Sequence, residues 1–145
     1  MANTFQCNLV VPANTASGGR LEGLGFGNPA TPPRLNGGDR VEVVVTWAGP
    51  NPPDSVNGYF ICAPTQNAGS NQAAPSPFKN GNNYVCFTKL VAKKGTSGQQ
   101  YAFGSFTVST GAPAGSYELT VVVEDARTTP SAQWSEDPEF DTTGG

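Results

Sequence analysis

The chain contains no histidine. That absence removes Ser–His–Asp and Cys–His nucleophilic catalysis, where an imidazole moves the proton, and every zinc site built on imidazole. Charge is scarce too. Asp, Glu, Lys and Arg make up 13% of residues, against roughly 25% in an ordinary soluble domain. Eight bases face eleven acids, a net charge of −3, and only Lys93 and Lys94 are adjacent. No basic stripe exists to neutralise a phosphate backbone, so no nucleic-acid partner is expected. No run approaches the ~20 apolar residues of a membrane span, so no membrane insertion is expected. The opening residues, MANTFQCNLVVPANT, show neither a basic n-region nor an apolar h-region. They read as cytoplasmic on synthesis, with use there, in a virion or in an extracellular assembly. None of the asparagines lies in an N-x-[ST] sequon, which points away from a secreted glycoprotein.

Cysteine is short and odd in number: Cys7, Cys62 and Cys86. Three cannot close a disulfide framework, and their wide spacing lacks the CxxC pairing of structural zinc. Each sits in an apolar alternating run (FQCNLVV, YFICAP, YVCFTKL), where a thiol packs as a small hydrophobe and its pKa rises. The expectation is three reduced, buried thiols, with a Cys62–Cys86 bridge as the rival.

Helical periodicity is also missing. Eighteen glycines and thirteen prolines interrupt every candidate helix. Period-two alternation takes its place at 4–11, 40–47, 58–63, 83–92, 100–109 and 116–124. Val41, Val43, Val45 and Trp47 share one face, and Tyr117, Leu119, Val121 and Val123 another. In QYAFGSFTVS the phase changes at Gly104, which predicts a β-bulge. The reading is one all-β domain over 1–145, an antiparallel sandwich of about seven strands with long loops. The loops are 12–38 and 64–82, and 126–145 forms an acidic C-terminal segment. Structureless connections beyond about 12–15 residues are usually functional or disordered, so the two loops are the first places to look for binding.

The segment APAGSYELTVVVED, in which Tyr117 follows a Pro/Gly turn and leads an alternating run, resembles a late strand of immunoglobulin-like and fibronectin-type modules. The resemblance implies an immunoglobulin-like architecture and says nothing of function. The antibody-type Cys…Trp…Cys spacing is absent.

Few residues are placed for chemistry. GLGFGNP (23–29) has the glycines of a phosphate loop, but Pro29, Pro32 and Pro33 deny it the helix such a loop opens. Paired carboxylates hydrolyse glycosides, yet Glu118 and Glu124 take the solvent phase of a strand. No enzyme is expected. Seven of the eleven acids lie between Glu118 and Asp141. Asp125, Asp137, Glu139 and Asp141, with Glu136 beside them, carry the hard oxygens that Ca²⁺ takes, and calcium is the only cofactor the sequence suggests. Clustered acids are otherwise simply solvated.

Trp134 and Phe140 flank those acids, and a solvated tail has little use for two large aromatics. Residues 132–140 are therefore expected as an edge strand or docked segment with Trp134 at least half buried and the acids outward. Only TTGG (142–145) should be mobile. Leu21, Leu24 and Phe26 dot the 12–38 arm and are expected to pack across a sheet edge or into a neighbouring subunit. With Trp134 and Phe140 they form the candidate interaction set. The expected function is a non-enzymatic structural module making protein–protein contacts, with a partner or by self-assembly, of the capsid-decoration, fibre or surface-array type. The alternative is a lectin-like, Ca-stabilised module stacking a glycan on Trp134, Tyr59 or Tyr101.

Overall fold

The structure is a computed structural model that describes residues 2–13, 19–27, 31–64, 77–78, 84–95 and 98–143, with backbone alone for residues 60, 61, 63, 64, 84–88, 94 and 95. Among the described residues twelve strands follow in chain order: β1 (Thr4–Val11), β2 (Gly19–Arg20), β3 (Glu22–Gly25), β4 (Arg34–Leu35), β5 (Arg40–Trp47), β6 (Ser55–Pro64), β7 (Tyr84–Val91), β8 (Lys93–Gly95), β9 (Gly98–Thr107), β10 (Gly115–Asp125), β11 (Ala132–Glu136) and β12 (Glu139–Thr142). No helix occurs among them. All six alternating segments are strands. Most of the predicted 64–82 loop lies outside the described residues.

The strands form two sheets. One runs β3-β1-β5-β9-β8. In the other β7 pairs with β6 and β6 with β10, while β11 and β12 share the far side of β10, flanked by β2 and β4. Alternation put apolar side chains on facing surfaces, so the sheets close on one core. Val41, Val43 and Val45 of β5 and Leu119, Val121 and Val123 of β10 are all fully buried. Gly58 lets the layers meet: a Cβ there would lie 2.7 Å from Leu90 Cδ1 and 2.8 Å from Phe103 Cζ.

The β-sandwich class is as expected, but the all-antiparallel, immunoglobulin-like arrangement is not. β1 and β5 pair in parallel from Thr4↔Arg40 to Val11↔Trp47. β2 is parallel to β11 and β4 to β12. Parallel neighbours need a crossover of a dozen or more residues, and the 12–38 arm is that crossover. It visits the second sheet as β2, the first as β3 and the second again as β4. The tyrosine turn is nonetheless present, with Tyr117 Oη donating to Pro113 O at 3.0 Å. The bulge falls where the phase change put it: Val43 pairs with Gly104 and Val44 with Ala102, and Gly104 takes φ 107°.

The C-terminal segment is an integral strand. β11 and β12 lie on β10 in one uninterrupted register, from Asp125↔Ala132 to Gly115↔Thr142. Pro138 has no N–H to donate, yet its carbonyl still accepts from Leu119 N at 2.9 Å. Trp134 is 6% exposed and Phe140 fully buried. Two expectations are corrected. The segment is not the edge, because β2 and β4 cover it. Nor does order stop at Thr142, which is buried and donates to Pro113 O at 2.6 Å. Thr143 N donates to Leu35 O at 3.0 Å. Gly144 and Gly145 lie outside the described residues.

Candidate functional site

The arm and the acidic segment, separate in sequence, meet at one side of the sandwich. The chain leaves β2 in the second sheet, crosses at Leu21 and enters β3 in the first. Leu21 is 1% exposed, and its N–H donates to Ser135 O at 2.9 Å. The β1–β3 ladder then slips: Asn8 pairs with Gly25 but Val10 with Glu22, so Gly23 and Leu24 together oppose Leu9. Gly23 takes φ 99°, and a Cβ there would sit 2.8 Å from Asn8 O. Glycine is required on both counts. The bulge turns Leu24 outward, 73% exposed. Gly25, at φ 59°, passes close to the tail: its Cβ would meet Pro138 Cβ at 3.3 Å. The glycines of GLGFG therefore serve a bulged edge strand.

A groove of about 460 Å³ opens between arm and tail, lined on one side by Leu24, Phe26, Pro32 and Pro33 and on the other by Glu136, Asp137, Pro138 and Glu139. Arg20 spans it, with Nη2 2.8 and 2.6 Å from the two Glu136 oxygens. Glu136 Oε1 also accepts from Asp137 N at 2.9 Å. Asp137 and Glu139 remain exposed at the lip. Behind them Glu118 lies opposite Glu139 across the β10–β12 pair. Burial, then repulsion from Asp137 and Glu139, pushes its carboxyl above the usual range.

The five candidate interaction residues therefore divide. Leu21, Trp134 and Phe140 are core: strand alternation turns Trp134 and Phe140 between the sheets, and Leu21 is buried at the step from β2 to β3. Phe26 is partly buried, its ring edge-on to Phe140 at 5.9 Å. Leu24 alone is held in solvent.

The proposed calcium ligands do not converge. Asp125 ends β10, whereas Asp141 pairs with Ser116 near its start. Nine residues of strand put them about 30 Å apart. Asp125 is also engaged by Arg127, whose Nε and Nη2 lie 3.0 and 2.9 Å from its oxygens. That hydrogen bonding holds the carboxyl below its usual range. Asp141 Oδ1 accepts from Ser116 Oγ at 2.8 Å. Asp137 and Glu139 stay together at the groove lip without these two. No group of three metal-ligating side chains occurs among the described residues.

The other chemistry-bearing groups are tied into the fold. Asp39, buried, accepts from Asn3 N at 2.9 Å and Asn36 N at 2.8 Å. Cys7 and Cys62 are free and buried. Burial pushes the Cys7 thiol up to about 12 and Cys62 higher still. With Cys62 free, the rival bridge to Cys86 is not formed; the Cys86 side chain lies outside the described residues. Of the rings offered to a glycan, Tyr101 and Trp134 are buried and Tyr59 is half buried. Trp47 is edge-on to Trp134 at 5.5 Å, under the Arg127 guanidinium at 5.8 Å.

Sequence reasoning missed Arg20 and Glu22 of the arm, and Val91 with its flanking lysines. KLVAKK, three lysines around Leu90, Val91 and Ala92, read only as the end of a strand and an isolated lysine pair. Comparison with known protein families, with curated proteins and with solved structures finds no match for this chain.

Proposed function

We propose that this chain is a non-enzymatic structural module that works by protein–protein contact within a larger assembly, with the arm–tail groove as its contact surface. The observation that carries the reading is Leu24. A glycine bulge places it 73% exposed above a groove bordered by acids, whereas among the described residues the other large hydrophobic side chains, Val91 apart, are buried or partly buried. An apolar side chain presented by a specific backbone device, with a charged rim, has the composition of a contact site. The lining favours protein over sugar, because Trp134 and Tyr101, the rings a pyranose would stack on, face the core. Absence of histidine favours binding over turnover.

Hydrogen–deuterium exchange tests the reading on the full chain. Material purified in its native assembled form is compared with the same chain dissociated to its 15.0 kDa monomer. Slower exchange at 19–27 and 136–140 in the native material is the expected result. Equal exchange in both samples at those segments would remove the groove as a contact surface.

A further inference from the structure

We infer that the groove receives the opposite edge of a second copy of this chain, so that copies join head to tail. The inference rests on the reading of the groove as a contact surface and names its partner.

Among the described residues two large hydrophobic side chains are strongly exposed, Leu24 at 73% and Val91 at 66%. They sit on opposite sides of the sandwich. Leu24 belongs to β3, one outer strand of the first sheet, and β8 is the other. Val91 ends β7, and Ala92 alone carries the chain from there into β8. Scattered exposed hydrophobics need no explanation, but these two have charged surroundings of opposite sign. Lys89 and Lys93 flank Val91 in strand alternation and are exposed, and Lys94 follows in β8. Asp137 and Glu139 line the groove with Leu24, Glu22 precedes it in β3, and all three acids are exposed.

Within one copy these charges cannot meet. The two edges of a five-stranded sheet are four spacings apart, about 19 Å. The ion pairs among the described side chains are Arg20–Glu136 and Arg127–Asp125, which leaves Lys89 and Lys93 on one side and Glu22, Asp137 and Glu139 on the other without an ion-pair partner. A second copy supplies what the first cannot reach.

Lysines on an edge ordinarily guard against sheet-to-sheet pairing. Here the guard is selective. Two lysine edges repel each other, and so do two acidic grooves, whereas an unlike pair attracts. That pattern disfavours a two-fold dimer and fixes a heterologous contact, which closes into a ring or continues as a filament. Strand directions agree. β3 runs against β1, β1 runs with β5, β9 against β5, and β8 against β9. β8 is therefore antiparallel to β3, and a copy displaced along the sheet brings the two edges together in the antiparallel sense.

Sedimentation velocity of the purified full-length chain tests this with two variants. The first, Lys89→Glu/Lys93→Glu/Lys94→Glu, makes the basic edge acidic; the second, Glu22→Lys/Asp137→Lys/Glu139→Lys, makes the groove basic. The wild-type chain is expected to self-associate at low salt and to dissociate near 1 M salt, where the Debye length falls to ~3 Å. Each variant alone should need at least about ten-fold more protein to associate, since rim charges set encounter and salt dependence. An equimolar mixture should recover the wild-type behaviour, because unlike edges face each other again. The uncharged pair Leu24→Ser and Val91→Ser repeats the test without charge reversal and should also weaken association. A wild-type chain that stays monomeric at every concentration, or a mixture that fails to recover, overturns the inference. If the groove is protected in native material while the pure chain remains monomeric, the groove still works as a contact surface, but its partner is a different protein.

Discussion

Phe140 is where the acidic segment is most deeply committed to the fold, and its removal has a calculable effect. The ring is fully buried. It lies near-parallel to Tyr117 at 5.8 Å and to Phe78 at 6.1 Å, and meets Phe26 edge-on at 5.9 Å. It thus ties β12 to β10, to the arm and to the segment around Phe78. Phe→Ala in a closed core costs about 3–5 kcal/mol, combining lost transfer energy with the cavity left behind. Against a total stability of about 5–15 kcal/mol that is a large share. For a chain of this size about 2–4 °C is lost per kcal/mol, so Phe140→Ala should lower the thermal midpoint by roughly 6–20 °C. The urea midpoint should fall with m unchanged, since the same surface is exposed on unfolding. Leu24→Ala, which removes an exposed side chain, should stay within about ±0.5 kcal/mol. If Phe140→Ala shifted the midpoint no more than Leu24→Ala does, the tail would not belong to the core and its place on β10 would be wrong.

Gly58→Ala adds a methyl where Leu90 Cδ1 and the Phe103 ring stand under 3 Å from its position; overpacking of this kind costs about 1–3 kcal/mol, read as a lower urea midpoint. Glu118→Gln tests the acidic pair on β10 and β12. Its raised carboxyl pKa means the ionised form opposes folding, so its favourable contribution is complete below the unfolded pKa of about 4.3 and disappears as pH rises through the folded value. The variant should melt about a degree or two higher than wild type at pH 7 and level with it near pH 3; a lower midpoint at pH 7 would refute the repulsion. Asp125 runs the other way, because Arg127 lowers its pKa, and its contribution is lost as pH falls.

The strands were legible because alternation is a local property. RVEVVVTW and SYELTVVVE state which face is apolar, and a sandwich is the arrangement that hides such faces on both sheets. The tail was legible for a related reason: Trp134 and Phe140 are too large to leave in water, and each is inside. Strand direction and partner are different. A parallel β1–β5 pair and an antiparallel one carry the same alternation, and what distinguishes them is the connection between. That connection, PANTASGGRLEGLGFGNPATPPRLNGG, looked irregular because none of its strands exceeds four residues. Two-residue strands such as β2 and β4 bury too little to leave a periodic trace. The same brevity hid which of Leu21, Leu24 and Phe26 is inside. One slipped residue in the β1–β3 ladder, made by Gly23, sends Leu24 out while Leu21 stays in.

The two sides of the sandwich then show why a contact surface is harder to see in sequence than a core. On each side the chain steps between the sheets, at Leu21 from β2 to β3 and at Ala92 from β7 to β8. Beside each step the outer strands carry some side chains outside the core, such as Leu24, Lys89 and Val91, and composition at those positions is free to vary with use. Around Leu24 it is acidic, and around Val91 basic. Neither cluster is dense enough to stand out of a chain with 13% charged residues, and Glu22 is more than a hundred residues from Asp137. In a chain with so few charges, three acids at one edge and three lysines at the other give the two edges opposite local charge. On the proposed head-to-tail contact, charge of that kind would orient an encounter while apolar contact at Leu24 and Val91 would hold it, a division of labour that becomes visible only once the fold has put the two clusters on opposite sides of the sandwich.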